Sequence, residues 1–196
     1  MELVNPDLEK TYTYADYMTW TWDKRVELIN GKVYEIAMPD RQHQELSSFL
    51  HVAIGNYLAR RRGKVYSAPF DVRIPRKSKD DKDIITVVQP DICVICDRSI
   101  LDERGCLGAP DIVVEILSPS NNKKELRYKY EIYEEAAVKE YWVVFPKEKS
   151  LLMYTLTNGR YAASPFLYAG DTITSAVLPG FSLDLTLLFA SSPDAE

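Results

Sequence analysis

Val88-Gln89-Pro90-Asp91-Ile92-Cys93-Val94-Ile95-Cys96 and Asp111-Ile112-Val113-Val114-Glu115-Ile116-Leu117 are two near-continuous apolar runs, and Asp91 and Glu115 place one carboxylate at the head of the first and one inside the second. A run that is apolar at almost every position, rather than at alternate ones, reads as a strand buried on both faces. An uncompensated carboxylate is costly in that setting. Each acid therefore needs a partner. A backbone cap or a nearby Lys would serve, and so would a divalent cation, because Asp and Glu oxygens are the ligands Mg²⁺ prefers. The residues alone leave both open.

Outward from these strands the chain alternates strand and helix signals. Thr13 to Trp20 reads as a short helix with Thr13 as N-cap and Asp16 three residues on. Val26–Ile29 and Lys32–Ile36 flank Asn30-Gly31, and Leu151–Leu156 and Arg160–Leu167 flank Asn158-Gly159; both dipeptides tolerate positive φ and signal hairpins. Leu46, Phe49, Leu50, Ala53, Ile54, Tyr57 and Leu58 recur at helical steps, predicting an amphipathic helix over 42–61 that ends at Gly63. Lys64 to Ile74 reads as one strand, and Pro75 to Asp83 as a polar, mobile loop. A second helix follows Ser118-Pro119-Ser120, with the two serines as caps and Leu126, Tyr130, Tyr133 and Ala137 on one face. Glu140 to Phe145 is another apolar strand, and Leu183 to Phe189 a last short element. Residues 191–196 are expected to fray. The order predicts a single α/β domain over 1–190, with a mixed central β-sheet flanked by helices and extra β-hairpins.

Composition bounds the function. At 196 residues and 46% hydrophobic content the chain can bury a substantial core. No apolar run approaches a membrane span, and the N-terminus lacks the pattern of a signal peptide. Three Cys do not make a disulfide framework, so a reducing cytoplasm is the expected compartment. Cys93 and Cys96 read as small core hydrophobes, with no second pair to complete a zinc site. A net charge of −5 argues against broad binding to nucleic acid through a basic surface. Local basic patches remain at Arg60–Lys64, Arg73–Lys79 and Lys123-Lys124 with Arg127.

Pro90-Asp91 and Glu115, 24 residues apart, together resemble the PD-(D/E)xK nuclease superfamily. The longer strings Val88–Ile92, Gly108–Ser120 and Lys139-Glu140-Tyr141-Trp142-Val143-Val144 resemble, more specifically, the Uma2 (DUF820) family of restriction-endonuclease-like proteins. Glu27-Leu28-Ile29-Asn30-Gly31, His43 and Pro69-Phe70-Asp71-Val72 belong to the same resemblance. It implies the restriction-endonuclease-like fold and a Mg²⁺- or Mn²⁺-dependent endonuclease that hydrolyses phosphodiester bonds, with DNA the expected substrate. Asp91 and Glu115 would be metal ligands, joined by the carbonyl of Ile116.

The superfamily usually carries a Lys two residues after the second acid. Leu117 stands there in this chain. Lys129 matches a position that Uma2 proteins commonly fill with Lys, about 60–70° from the centre of its helix's apolar stripe by helical geometry, where a long stem can pack while the ammonium reaches a site. The other reading of Lys129 is a solvated cation paired with acids of its own helix. Glu27 is a third acid or a hairpin surface residue. His43 is an accessory base or a buried, hydrogen-bonded core residue, and His51 reads as exposed. Ser118 and Ser120 have no nucleophile elbow around them. The chain departs from the family pattern at Glu125 (Asp usual), Ala137 (Gly usual) and Phe145 (often Asp). Two other classes stay in view: a catalytically weak or inactive nucleic-acid-binding or regulatory module on the same fold, and an interaction protein using the edge of the C-terminal hairpin. A homodimer is expected on symmetry grounds.

Overall fold

The computed structural model describes residues 6–118 and 123–190, without the side chains of 123–125. The expected fraying of the tail and the capping role of Ser120 lie outside the described residues. Along the chain come α1 (Tyr14–Tyr17), β1 (Val26–Ile29), β2 (Lys32–Glu35), α2 (Arg41–Leu58), β3 (Lys64–Ser67), β4 (Val72–Arg73), β5 (Val87–Val88) and β6 (Ile92–Ile95). After a 3₁₀ turn at Arg98–Ile100 follow β7 (Leu101–Asp102), β8 (Gly105–Leu107), β9 (Ile112–Ile116), α3 (Lys123–Glu135), β10 (Glu140–Phe145) and β11 (Ser150–Thr157). The chain closes with β12 (Arg160–Ala163), β13 (Leu167–Tyr168), β14 (Thr172–Thr174), β15 (Ser182–Asp184) and α4 (Leu185–Ala190).

These elements form two compact units. The first takes the described residues of Met1–Met38, Pro69–Gln89 and Ser99–Ala109; the second takes those of Pro39–Ala68, Pro90–Arg98 and Pro110–Glu196. The first holds a six-stranded sheet in the order β2-β1-β5-β4-β8-β7. Its opening hairpin turns on Asn30 and Gly31 at φ 53° and 79°, both positive as a type I′ turn requires. Tyr14, Leu28, Ile84 and Val87 make its small core. Thr13 caps α1 in a capping box with Asp16, though the helix is shorter than the 13–20 expected. The polar stretch 75–83 is tied down: Asp81 accepts from Arg104 and from the Ala15 amide.

The second unit holds a seven-stranded mixed sheet, ordered β12-β11-β10-β9-β6-β3 with β13 also on β11. β9 and β10 run parallel; β6 lies antiparallel to β9 on its other side. Both central strands are buried throughout. Ile112, Val114 and Ile116 pack with Leu46, Leu50, Ile54 and Leu58 of α2 and with Leu185 and Leu188 of α4. Val113 and Glu115 alternate to the opposite face, where Tyr133 of α3 stacks edge-on against Tyr141 at 5.0 Å. Helices thus cover both faces of a mixed sheet, as the sequence predicts.

Three local expectations are corrected. The single strand read over 64–74 breaks at Pro69: β3 joins β6, and β4 joins β5 and β8 in the other unit. Ala137 lies beyond the helix stripe, at φ 61°. The Ala137 amide donates to the Glu134 carbonyl and the Val138 amide to the Tyr133 carbonyl, the paired bonds of a Schellman cap with Ala137 at C′. Leu183–Phe189 divides into the end of β15 and the start of α4. Glu140 is fully buried yet satisfied: it accepts from the Trp142 indole, the Ser175 hydroxyl and the amides of Ala176 and Val177.

Candidate functional site

The β6–β9 ladder sets Ile92 opposite Val114. One residue further, Asp91 comes opposite Glu115, at the end of the ladder. The two acids sit in different company. Asp91 accepts from the Ile116 amide on Oδ2 at 2.7 Å and faces the imidazole of His43 on Oδ1 at 3.1 Å. Glu115 is 8% exposed and receives the ammonium of Lys129 on both oxygens, each at 3.0 Å. The Tyr133 hydroxyl adds a third bond, to Oε1 at 2.8 Å. A buried carboxylate with a two-pronged cation and a hydroxyl has the compensation that an apolar strand interior demands.

The helices deliver these partners for local reasons. Lys129 and Tyr133 are four residues apart on α3, hence on one face, and both side chains are buried. Lys129 thus lies at the border of the buried face and reaches Glu115; among the described side chains of that helix, Arg127 and Glu131 form an exposed pair. His43 lies in the first turn of α2. Its amide donates to the N-cap Asp40 at 2.8 Å, so the cap that starts the helix also fixes where His43 begins. His43 Nε2 faces a carboxylate and carries the proton there, while Nδ1 is buried with no hydrogen-bond partner. Burial pulls the imidazole pKa down, but the hydrogen bond to Asp91 and the charges of Asp91, Asp40 and Glu115 outweigh it, and the pKa stands above the ordinary 6.5.

Of the residues singled out in the sequence, His43, Asp91, Glu115, Ile116 and Lys129 come together in the second unit. Glu27 belongs to the first, where it is 2% exposed and accepts from the Gln89 amide at 2.7 Å; it is a buried residue of β1, not a surface position of the hairpin. His51 is half-buried with Nδ1 2.6 Å from the Ser67 hydroxyl, and is not exposed. Tyr133 was readable only as core from its apolar stripe. Its spacing of four from Lys129 is the signal that joins it to Glu115.

Among the described residues no group of three or more His, Cys, Asp and Glu is arranged to hold a metal ion. The donors at hand are the Asp91 and Glu115 carboxylates and the Ile116 carbonyl, all hard oxygens. Mg²⁺ keeps several waters and commonly takes one or two carboxylates together with substrate phosphates, so a two-carboxylate set fits it in kind. Lys129 bridging Glu115 shows that this carboxylate already draws a cation. Nor is any described helix long and apolar enough to cross a membrane.

The comparisons agree with this architecture. No curated protein matches the chain. A solved structure from Anabaena variabilis ATCC 29413, described as "a putative nuclease belonging to DUF820", matches with a TM-score of 0.72 over 93% of this chain and 99% of that one, at 18% identity. That likeness carries the fold. A family model described as "Uma2: Putative restriction endonuclease" matches residues 14–186, most of the sequence, and on that match the chain belongs to the Uma2 family.

Proposed function

We propose that the protein is a metal-dependent endonuclease that hydrolyses phosphodiester bonds of nucleic acid, with DNA the first substrate to test. The observation that carries the reading is the set Asp91, Glu115 and Lys129, two acids on adjacent strands and a buried ammonium on one of them. Family membership supports the reaction class.

Asp91, Glu115 and the Ile116 carbonyl would hold Mg²⁺ or Mn²⁺. When bound, such an ion lowers the pKa of a water and neutralises phosphate charge. The chain's own residues do the rest. The Ile116 amide and His43 fix the carboxylate of Asp91, and Tyr133 and Lys129 fix that of Glu115. The Lys129 ammonium stabilises charge that develops on the phosphate, an effect worth about 10²–10³ in rate when a comparable donor is removed. His43, whose raised pKa keeps it protonated further toward neutral pH, carries a proton beside Asp91 and acts as the accessory acid or base. Glu27, bonded to the amide of Gln89, holds the segment that leads into Pro90-Asp91 and is the third acid of the proposal.

The engagement of Glu115 by Lys129 favours a second reading, a nucleic-acid-binding or regulatory module with little activity. Cleavage of single-stranded DNA, duplex DNA and RNA in Mg²⁺, Mn²⁺ and EDTA separates the two. Turnover with Mg²⁺ or Mn²⁺ that is lost in EDTA and in Asp91→Asn supports the nuclease; binding without turnover in every metal supports the module. We further propose a homodimer working in a reducing cytoplasm, the latter supported by the odd count of three Cys, which makes no disulfide framework. Light scattering that finds only monomer at high micromolar concentration would rule out the dimer.

A further inference from the structure

Beside the acid pair lies a cavity of about 220 Å³. Leu117, Phe145 and Pro146 form its apolar walls, and Gln42, Asp40 and Lys147 are among its polar lining. It is continuous with the site through the chain itself. Leu117 follows Ile116, the residue whose amide holds Asp91, and Asp40 and Gln42 flank the first turn of α2 from which His43 reaches Asp91.

Three properties decide what would fit. The volume falls below the roughly 300–1,000 Å³ of pockets for drug-sized ligands, so it admits one small ring system and not a dinucleotide. The carboxylates of Asp40 and of Glu148, which also lines the cavity, repel a phosphate as occupant and leave a neutral ring as the better guest. Phe145 supplies an aromatic ring, which also meets Phe166 at a centroid distance of 5.5 Å with the planes 62° apart. Lys147 is exposed on the rim, where it can meet the sugar-phosphate strand as it leaves.

We propose that this cavity seats a single unstacked nucleobase, and that the substrate is therefore single-stranded nucleic acid or a locally opened strand rather than an intact duplex. This deepens the nuclease reading and rests on it. A base inside a duplex is stacked on both faces and cannot enter. The chain's net charge of −5 points the same way, since recognition through one base and a few contacts needs no long basic track along a duplex.

The test is fluorescence anisotropy with calcium replacing magnesium, so that substrate binds uncleaved. The probes are an oligothymidylate, an abasic deoxyribose-phosphate strand of the same length, the matching oligoribonucleotide and a blunt duplex. Stacking of one base on an aromatic ring predicts about tenfold weaker binding of the abasic strand, and the same loss for oligothymidylate in Phe145→Ala. Phe145→Leu, which keeps apolar volume without the ring, should lose nearly as much, and Phe145→Trp little; unchanged melting curves show that the fold is intact. Equal affinity for the abasic strand, duplex bound as tightly as single strand, or full affinity in Phe145→Leu would overturn the base seat and leave the nuclease reading standing. A wild-type protein that binds none of the probes would overturn both. The DNA and RNA arms then show which sugar the site accepts.

Discussion

Lys129→Met isolates the central ion pair, because Met keeps the length of the stem and removes only the ammonium. The two side chains are 7% and 10% exposed, and Nζ lies 3.0 Å from each Glu115 oxygen, so solvent screens the pair little. Removing one partner of a buried pair costs about 3–5 kcal/mol, mostly as an uncompensated charge. The Tyr133 hydroxyl stays on Oε1 and offsets part of this, which puts the expected loss near 3 kcal/mol. For a chain of this size that lowers Tm by about 6–12 °C. The double variant Glu115→Gln/Lys129→Met removes both charges and should recover most of the loss, giving a coupling energy of about 2–3 kcal/mol in a double-mutant cycle. Calorimetry on the four proteins in EDTA reads this directly. A Lys129→Met protein within about 0.5 kcal/mol of wild type, or a cycle without coupling, would refute the reasoning that the ammonium compensates the burial of Glu115 in the strand.

Other expectations follow from separate parts of the molecule. Ala137→Gly should raise stability by about 0.5–1 kcal/mol, since the C′ position of the Schellman cap has φ 61° and glycine adopts that region without a Cβ clash; urea denaturation checks it. Mn²⁺ or Mg²⁺ should raise Tm, by about 2.7 kcal/mol of added stability at a hundredfold excess over Kd, and Asp91→Asn should abolish the rise in differential scanning fluorimetry. Asp102→Asn should cost about 1–2 kcal/mol, because Arg73 is fully buried and bonded to Asp102, discounted for the 40% exposure of the acid. The Arg73 hydrogen bond holds the Asp102 carboxyl below its ordinary 3.8, so this contribution is complete above that value and is lost as pH falls through the lower folded one. The wild-type advantage over Asp102→Asn should thus stay flat from pH 7 to about 4 and close below, as measured by denaturation across pH.

Much of this was legible where local chemistry decides the outcome. Both Asn-Gly dipeptides sit at positive φ in hairpins, and the four-residue steps of Leu46, Leu50, Ile54 and Leu58 form the buried face of α2. The continuous apolar runs around Asp91 and Glu115 are adjacent buried strands. What failed depends on distant pairing. Strands of two residues, such as β4 and β5, carry no periodicity, and nothing within 64–74 says that the chain changes sheets at Pro69. Glu27 reads from the sequence as a third acid or a hairpin surface residue, and nothing local signals its burial or its bond to the amide of Gln89, 62 residues away. Tyr133 was misread by omission: an aromatic residue on an apolar stripe is read as core, and its hydroxyl finds a role only once α3 is laid over β9.

The connection between β9 and β10 explains how a lysine of α3 comes to meet Glu115. Two parallel neighbours cannot be joined by a tight turn and need a crossover, which in this chain is α3. A lysine two residues beyond Glu115 would share its strand face; Leu117 stands there instead and lines the neighbouring cavity. The crossover helix must lie over that face whatever its sequence, so a lysine on its inward border reaches Glu115 from above, and the residue four further on reaches it too. The Schellman cap at Ala137 then ends the helix and returns the chain through Val138 and Lys139 to Glu140, whose amide bonds the carbonyl of Asp111 beside the start of β9. One connection therefore builds the parallel pair and delivers the cation that pairs with the carboxylate buried within it.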